Sequence, residues 1–452
     1  MTDPDIIVIG GGAAGIAAAV EAGNSGLSVM LCEQRHALGG AIHRQPADGA
    51  RAVAVQPSLA GRFQALSDAL AASAVKVHLQ RSFIGVDGRG TVLVEDRKNG
   101  HVDAWRPKVL IIAVGAVERV MPRPGWHLEG VVAAGGLQVM LKEGRVPAGR
   151  ILLAGNGPLL LSLGAQLAAA GNPPVAVVEA GNPLAGFMAG FGLLRRPSIL
   201  ADVAQLLVPV LQKRFAWRRA TSLVSIKRAN GQLVAVLRDR AGREDQVTVD
   251  RIGLHDGLRP NAFGLPLEGT KGGVAILRAG DGREVLGAYA AELDGQRAGR
   301  DAVAYARGRV PAAGMRMLRA ERALQASLGR LFQPRRGAFG LADCPDDTVI
   351  CRCENRRIGD LKAQMQHLQS PSPRELKLNG RFAMGACQGR FCAEWALSMM
   401  ATILPESETP TIADMVGNRW PNRPVAMSSL AECRFHGGHE GANQDLESAH
   451  GP

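Results

Sequence analysis

The stretch DIIVIGGGAAGIAAAVEAGNSGLSVMLCE, residues 5–33, decides the fold. Its first part, DIIVI, is a short apolar run of the kind a buried parallel strand shows. Gly10, Gly12 and Gly15 follow in G-x-G-x-x-G register, then a helix of small residues to about Asn24 and a second apolar run ending at Glu33, 18 positions after Gly15. Gly10 permits the tight turn, Gly12 lets the backbone approach a pyrophosphate, and Gly15 lets helix and strand pack closely. The helix N-terminus then faces the phosphates and Glu33 accepts from ribose hydroxyls. The pattern predicts an α/β dinucleotide-binding unit.

A second unit begins at GRILLAGNGPLL (149–160) and continues through VAVVEA (175–180) to Glu179. Here Leu160 occupies the third glycine position. A leucine holds the helix off the strand and crowds the pyrophosphate site, so a retained fold with an impaired nicotinamide-nucleotide site is expected. Whether the unit binds NAD(P) or nothing stays open. VLIIAVGAVE (109–118) reads as another buried strand, and DRIGLHDGLRPN (250–261) as a strand returning to the first domain, with His255 as a packed turn residue. Residues 313–332 show an amphipathic stripe at Met317, Ala320, Leu324, Leu328 and Leu331, with arginines mainly off it. Residues 333–347 read as a linker.

The C-terminal part carries a different chemistry. Cys351 and Cys353 form C-x-C, and Cys387 and Cys392 form C-x4-C. Zinc ligand pairs usually enclose two to four residues, whereas four thiolates are what a 2Fe–2S cluster requires. Iron–sulfur is the preferred reading, and structural zinc stays open. Arg352, Arg356, Arg357 and Arg390 would offset the charge of an anionic cluster, while Gly385 and Gly389 admit backbone N–H groups to the sulfurs. Cys433 with His436 and His439 imitates a metal motif, but the polar tail after Arg434 reads as disordered. No C-x-x-C adjoins the first unit, so no redox-active dithiol is expected there. Neither a Ser–His–Asp set nor a pair of catalytic carboxylates is apparent.

Composition sets outer limits. The chain has 452 residues, 46% of them apolar, and 56 glycines, enough for several domains joined by tight connections. The net charge is +12, but it is diffuse and only 4% of residues are aromatic. A solvated basic surface, or one facing an acidic partner subunit, fits better than nucleic-acid binding. The acidic start MTDPD predicts no secretory leader, and Asn156, Pro158 and several glycines interrupt the apolar run 151–171, so no membrane span and a cytoplasmic location are expected.

The motifs IIVIGGGAAG (6–15), LGGAIHRQP (38–46), AVGAVERVMPRPGW (113–126), LLAGNGPLLL (152–161), CRCE (351–354), MGACQGRFC (384–392) and NRPVAMSSLA (422–431) together resemble one family. It comprises the larger nucleotide-binding subunits of heteromeric flavin dehydrogenases: opine oxidase A subunits, hydrogen cyanide synthase B subunits and the D-hydroxyproline dehydrogenase complex. The α subunits of sarcosine oxidase and archaeal proline dehydrogenases are more distantly similar. The cysteine segment is similar to bacterioferritin-associated ferredoxin. The resemblance implies two Rossmann-like domains, the second inserted in the first, and a small α-helical 2Fe–2S domain. The expected divisions are 1–118 with 250–310, 119–249, a basic helix and linker 311–345, the cluster domain 346–403, an arm 404–435 and a disordered tail 436–452.

The same resemblance implies FAD held by Gly10, Gly12, Ala13, Ala14, Gly15, Glu33, Gln34, Arg35, Gly40, Arg44, Ala113 and Gly115. It also implies FMN at a subunit interface, a partner flavoprotein resembling D-amino-acid oxidase and a further small subunit. Electrons would come from an opine, D-hydroxyproline, proline or sarcosine oxidised on that partner. One departure stands out. Flavoproteins of this fold carry a late G-D motif after a short strand. That strand is expected within REVLGAYAAELDGQRAG (283–299), and Gly280–Asp281 would precede it, at its wrong end. The loss of that anchor leaves ADP, ATP or NAD open as alternatives at the first site. A stand-alone NAD(P)H-dependent reductase and a non-catalytic scaffold stabilised by nucleotide and zinc are the competing functions.

Overall fold

The computed structural model describes residues 2–47, 49–50, 57–185, 207–311, 316–334, 337–367, 372–405, 409–417 and 420–437. Two parallel sheets organise it. In the first, strands Ile6–Ile9, Val29–Glu33, Lys76–Leu79, Val109–Ile112 and Val274–Arg278 run parallel, with Gly269–Lys271 antiparallel at one edge. Alternation along the strands explains the layering. Ile6, Val8, Leu31, Val109 and Ile111 face the helices Ala13–Gly23, Pro57–Ala71 and Ala288–Ala306. Ile7, Ile9, Met30, Leu110 and Ile112 face an antiparallel meander, Arg81–Val86, Val92–Asp96 and His101–Trp105.

The second sheet repeats this plan. Ile151–Gly155 lies between Ala176–Glu179 and Arg251–His255, with Ala216–Arg219 and Val131–Ala133 at the edges, all parallel. Ile151, Leu153 and Val177 pack with the helices Ala134–Lys142 and Pro158–Ala169. Leu152, Ala154 and Val178 pack against the meander Ser222–Ala229, Gln232–Arg238 and Glu244–Val249. The strand in 250–261 is therefore a correction: Arg251–His255 pairs with Ile151–Gly155 and belongs to the second sheet. The chain crosses between domains at Ala116–Glu118 and Leu258–Pro260, which pair antiparallel.

The basic helix forms over Arg316–Leu331, but its inward face is rotated from the expected stripe. Leu318 and Glu321 are buried, while Met317 is 53% exposed. The local partner decides the face: Leu318 packs on Leu286 and Ala290, and Arg322 Nε donates to Glu284 at 2.7 Å. The segment read as a linker is anchored by Cys344, whose Sγ donates to the Pro122 carbonyl at 3.4 Å.

The start of the expected tail is placed as well. Cys433–Phe435 adds a parallel strand to His101–Trp105. His436 Nε2 lies 2.9 Å from Asp103 Oδ1, and its ring stacks on Trp105. This arm covers Ile84, Leu93, Val102 and Ala104, so the meander is buried on both faces. His439 and the rest of the tail lie outside the described residues. Among the described residues no helix is long and apolar enough to cross a membrane.

Candidate functional site: a dinucleotide cleft and a four-cysteine centre

Backbone crowding explains the first glycine turn. Gly10 has φ +106°, and a Cβ there would stand 2.4 Å from the Ala113 carbonyl oxygen. A Cβ on Gly15 would stand 1.7 Å from the Gly10 oxygen, so only glycine lets helix Ala13–Gly23 seat on its strand. Gly12 is different: among the described residues its Cβ position meets nothing nearer than the Gly40 Cα at 3.7 Å, and that of Gly115 meets nothing within 4 Å. These positions leave a cradle bare of side chains, which is what a close-lying dinucleotide needs. Glu33 Oε2 accepts from Gly11 N at 2.6 Å and Oε1 from Arg35 N at 2.9 Å, which ties the end of the second strand to the loop.

The late acidic motif is present, contrary to the expectation. Val274–Arg278 is the strand, and Gly280–Gly282 follows it as a short 3-10 turn; residues after 283 form no strand before helix Ala288–Ala306. Gly280–Asp281 thus sits at the proper end. The alternation of Val274 and Ile276 was the available signal. Asp294 clamps this turn: its Oδ2 accepts from Gly280 N at 2.8 Å, and Arg283 and Arg297 pair with Oδ1 at 2.6 and 2.7 Å. Gly282 lies beside Gly115, its Cβ position 3.4 Å from Gly115 N. Asp281 Oδ1 accepts from Leu286 N and Gly287 N, and burial with the nearby Asp294 charge pushes its pKa up.

Other expected contacts are placed less simply. Ala13 opens the helix, Ala14 packs under Gly280, and Gln34 is exposed. Arg35 and Arg44 are both paired with Glu143 of the second domain, at 3.2 and 2.9 Å. Next to it, Lys142 Nζ donates to the carbonyls of Ala41 and Ile42, and burial pulls its pKa down to about 8. Among the described residues, His43 Nδ1 and Arg44 Nε are buried without a partner, so the cleft wall has hydrogen-bonding capacity to spare.

In the second unit, Leu160 is fully buried among Leu153, Leu137 and Leu163. Glu179, 0% exposed, accepts from Gly157 N and Gly181 N, and burial pushes its pKa up to about 8. His255 is more than a filler. Its Nδ1 lies 2.6 Å from Glu118 Oε1, and its ring is 3.7 Å from the Gly157 Cβ position. Glu118 also accepts from Gly135 N, joining the crossing to the helix Ala134–Lys142.

The four cysteines meet in one small domain. It has helices Ile358–His367, Pro373–Gly380 and Ala393–Met400 and a two-stranded ribbon, Val349–Cys351 with Arg356–Arg357. Cys351 hydrogen-bonds Cys392, and Cys353 hydrogen-bonds Cys387. The Cys351 thiol is pulled down by its hydrogen bond to Cys392, against burial, with help from the N–H groups of Glu354, Cys353 and Ala383. Gly385 has to be glycine, since a Cβ would stand 2.1 Å from that of Cys353. Among the described residues, no three His, Cys, Asp or Glu side chains converge on a point for one metal ion. Cys351 with Cys392 and Cys353 with Cys387 thus form two sulfur pairs.

Of the arginines around them, Arg352 lies within the field of Cys353 and Cys387. Arg352 donates to the Val131 carbonyl and lies over Trp126, and Arg356 faces Asp360 at 3.6 Å. Arg390 donates to the Cys387 carbonyl at 3.1 Å. Arg259, from the second domain crossing, joins them although no sequence signal near the cysteines points to it. The cysteine domain is fastened to the connectors: Trp126 Nε1 donates to the Val349 carbonyl, Trp395 Nε1 to Val120 O, and Glu394 pairs with Arg119 and Arg259.

Known proteins agree with this architecture. Residues 4–280 match the family model described as pyridine nucleotide-disulphide oxidoreductase. The A subunit of opine oxidase from Agrobacterium tumefaciens (strain Ach5) is 31% identical, the alignment covering 94% of this chain and 91% of that one. The chain belongs to the family of opine oxidase A subunits, within the pyridine nucleotide-disulphide oxidoreductases. Hydrogen cyanide synthase subunit HcnB of Pseudomonas aeruginosa is 29% identical over 85% of this chain and 90% of that one. L-proline dehydrogenase from P. horikoshii shares the fold, with TM-score 0.58, 19% identity and coverage of 94% of this chain and 79% of that one. The protein is an oxidoreductase built on FAD- or NAD(P)-type dinucleotide-binding domains. Its named relatives are subunits of multi-subunit enzymes, and partner subunits are expected.

Proposed function

We propose that this chain is the cytoplasmic electron-transfer component of a heteromeric, flavin-dependent dehydrogenase or oxidase of amino or imino acids. Substrate oxidation would occur on a partner flavoprotein resembling D-amino-acid oxidase, with FMN at the interface. The observation that carries this reading is the linkage of two redox-type sites through one connector. Asn261 N donates to Gly115 O at 3.1 Å on the dinucleotide cleft, while Phe263, two residues on, is part of the cysteine-domain core.

The first cleft would hold FAD. Gly10, Gly12 and Gly15 keep the loop free for the pyrophosphate, Glu33 orients the loop and accepts from the ribose, and Asp281 with Gly282 borders the flavin-side opening. Asp281 at the correct strand end favours FAD over a structural adenine nucleotide. Cys351, Cys353, Cys387 and Cys392 would hold the 2Fe–2S cluster. Bound there, FAD supplies a two-electron carrier and the cluster a one-electron carrier. The buried Leu160 and enclosed Glu179 disfavour a nicotinamide site in the second unit, and with it a stand-alone NAD(P)H reductase.

The test is anaerobic purification of the chain with and without its partner subunits. Iron content, EPR of the reduced protein, the nucleotide released on denaturation, and dye reduction with opines, hydroxyproline, proline and sarcosine would be measured. Iron, FAD and partner-dependent turnover are expected. Stoichiometric zinc, release of ATP or ADP alone, or full turnover by the isolated chain would each refute the corresponding part.

A further inference from the structure

Arg259 leaves the crossing Leu258–Pro260 with its side chain only 10% exposed. Nη1 donates to Glu394 Oε2 at 2.8 Å, and Nη2 donates to the carbonyl of Arg390, inside the Cys387–Cys392 loop. Its guanidinium lies over Phe263, 4.7 Å from the ring centroid, and that of Arg390 lies 5.7 Å from the same centroid. Phe263 is 3% exposed, so two guanidiniums flank one buried ring and each holds a carbonyl of the cysteine loop. Arg119 shares Glu394 at 2.6 Å, but it is 36% exposed and lies over Trp395 instead. Burial depresses the Arg259 pKa, Glu394 opposes this, and the Cys392 and Cys387 sulfurs also lie within its field. An arginine nonetheless keeps its proton in a protein.

We infer that Arg259 is a positioning residue of the metal centre, which fixes the Cys387–Cys392 loop and places a permanent positive charge beside it that raises its reduction potential. A reduced centre carries one more negative charge, so a nearby buried cation stabilises it over the oxidised form. Because Arg259 belongs to the connector bordering the dinucleotide cleft, the same contact ties the poise of the centre to domain docking. The inference rests on the reading of the four cysteines as iron–sulfur ligands.

The test uses the full chain with its partner subunits, purified anaerobically, with iron content and an EPR-monitored redox titration as readouts. Arg259→Gln should keep its iron and titrate at lower potential. At fixed ambient potential, the reduced-to-oxidised ratio should fall about tenfold, which is ~59 mV for a one-electron couple. Arg259→Lys should recover most of that shift, and Arg119→Gln should move the potential much less. Equal potentials for wild type and Arg259→Gln at equal iron would overturn the inference while leaving the proposed function intact. Equal shifts in Arg259→Gln and Arg119→Gln would overturn it too, since loosened docking would then explain both. Should Arg259→Gln fail to hold iron, Glu394→Gln reads the effect from the other side. Removing the carboxylate that neutralises Arg259 must raise the potential, and an unchanged or lowered value defeats the idea. Zinc in the wild-type centre overturns this inference together with the reading beneath it.

Discussion

The two dinucleotide units share a plan and differ in what fills it. In each, a glycine of positive φ ends the first strand where a Cβ would strike a carbonyl, Ala113 at Gly10 and His255 at Gly155. In each, a glutamate ends the second strand and accepts from a loop N–H, Gly11 N at 2.6 Å or Gly157 N at 3.1 Å. They part at the third position. Gly15 lets the first helix touch its own turn, whereas Leu160 fills the second core. They part again at the mouth: among the described residues no side chain stands before Gly12, while the His255 ring, held by Glu118, stands before Gly157. The turn glycine serves strand geometry and survives in both units. The third glycine serves close packing of helix on strand and is present only in the first.

That contrast is open to direct attack. The largest effect is expected from Gly15→Val, which forces the helix off the Gly10 carbonyl. It should cost roughly 3 kcal/mol and empty the first site, read by thermal unfolding and by the nucleotide released on denaturation. A stable variant with full nucleotide would remove the distinction between the units. Leu160→Ala should also destabilise, by about 2–4 kcal/mol from the cavity it leaves, yet keep the nucleotide content unchanged. Nucleotide loss here would show that the second unit is occupied.

Next comes Glu179→Gln, whose signature is a pH profile. The folded-state pKa of Glu179 is raised to about 8 from an ordinary 4.5. The folded protein therefore retains a proton that the unfolded chain releases. Its contribution is complete below pH about 4.5 and is lost as pH rises towards 8, at no more than about 1.4 kcal/mol per pH unit. Glutamine should flatten that part of the stability curve, and parallel wild-type and variant curves would contradict this. The smaller effects concern affinity and strain. Glu33→Gln and Asp281→Ala should each weaken retention of the first-site nucleotide about tenfold, or ~1.4 kcal/mol, measured by reconstitution titration with FAD. Gly157→Ala should cost about 1–3 kcal/mol of backbone strain and leave the nucleotide in place. A change in FAD affinity would couple the two units.

Features governed by local rules were legible along the chain. The glycine register, the apolar runs and the C-x-C and C-x4-C spacing belong here, because turn sterics and short apolar periods act within a few residues; Leu160, expected to crowd the second pyrophosphate site, instead packs in the core with Leu137, Leu153 and Leu163. Features that depend on pairing between distant segments were not. Arg251–His255 joined the second sheet because its hydrogen bonds go to Ile151–Gly155, which no local pattern encodes. Asp281 read as misplaced because the strand beginning at Val274 is only five residues long and half-buried at alternate positions, and its pairing with Val109–Ile112 is what fixes its place. Arg35 and Arg44 met Glu143, and Arg259 met the cysteine loop, across sequence separations of about 100 residues or more. Side-chain charge at such range is free to choose its partner only after the backbone has brought the candidates together, and that choice belongs to the fold.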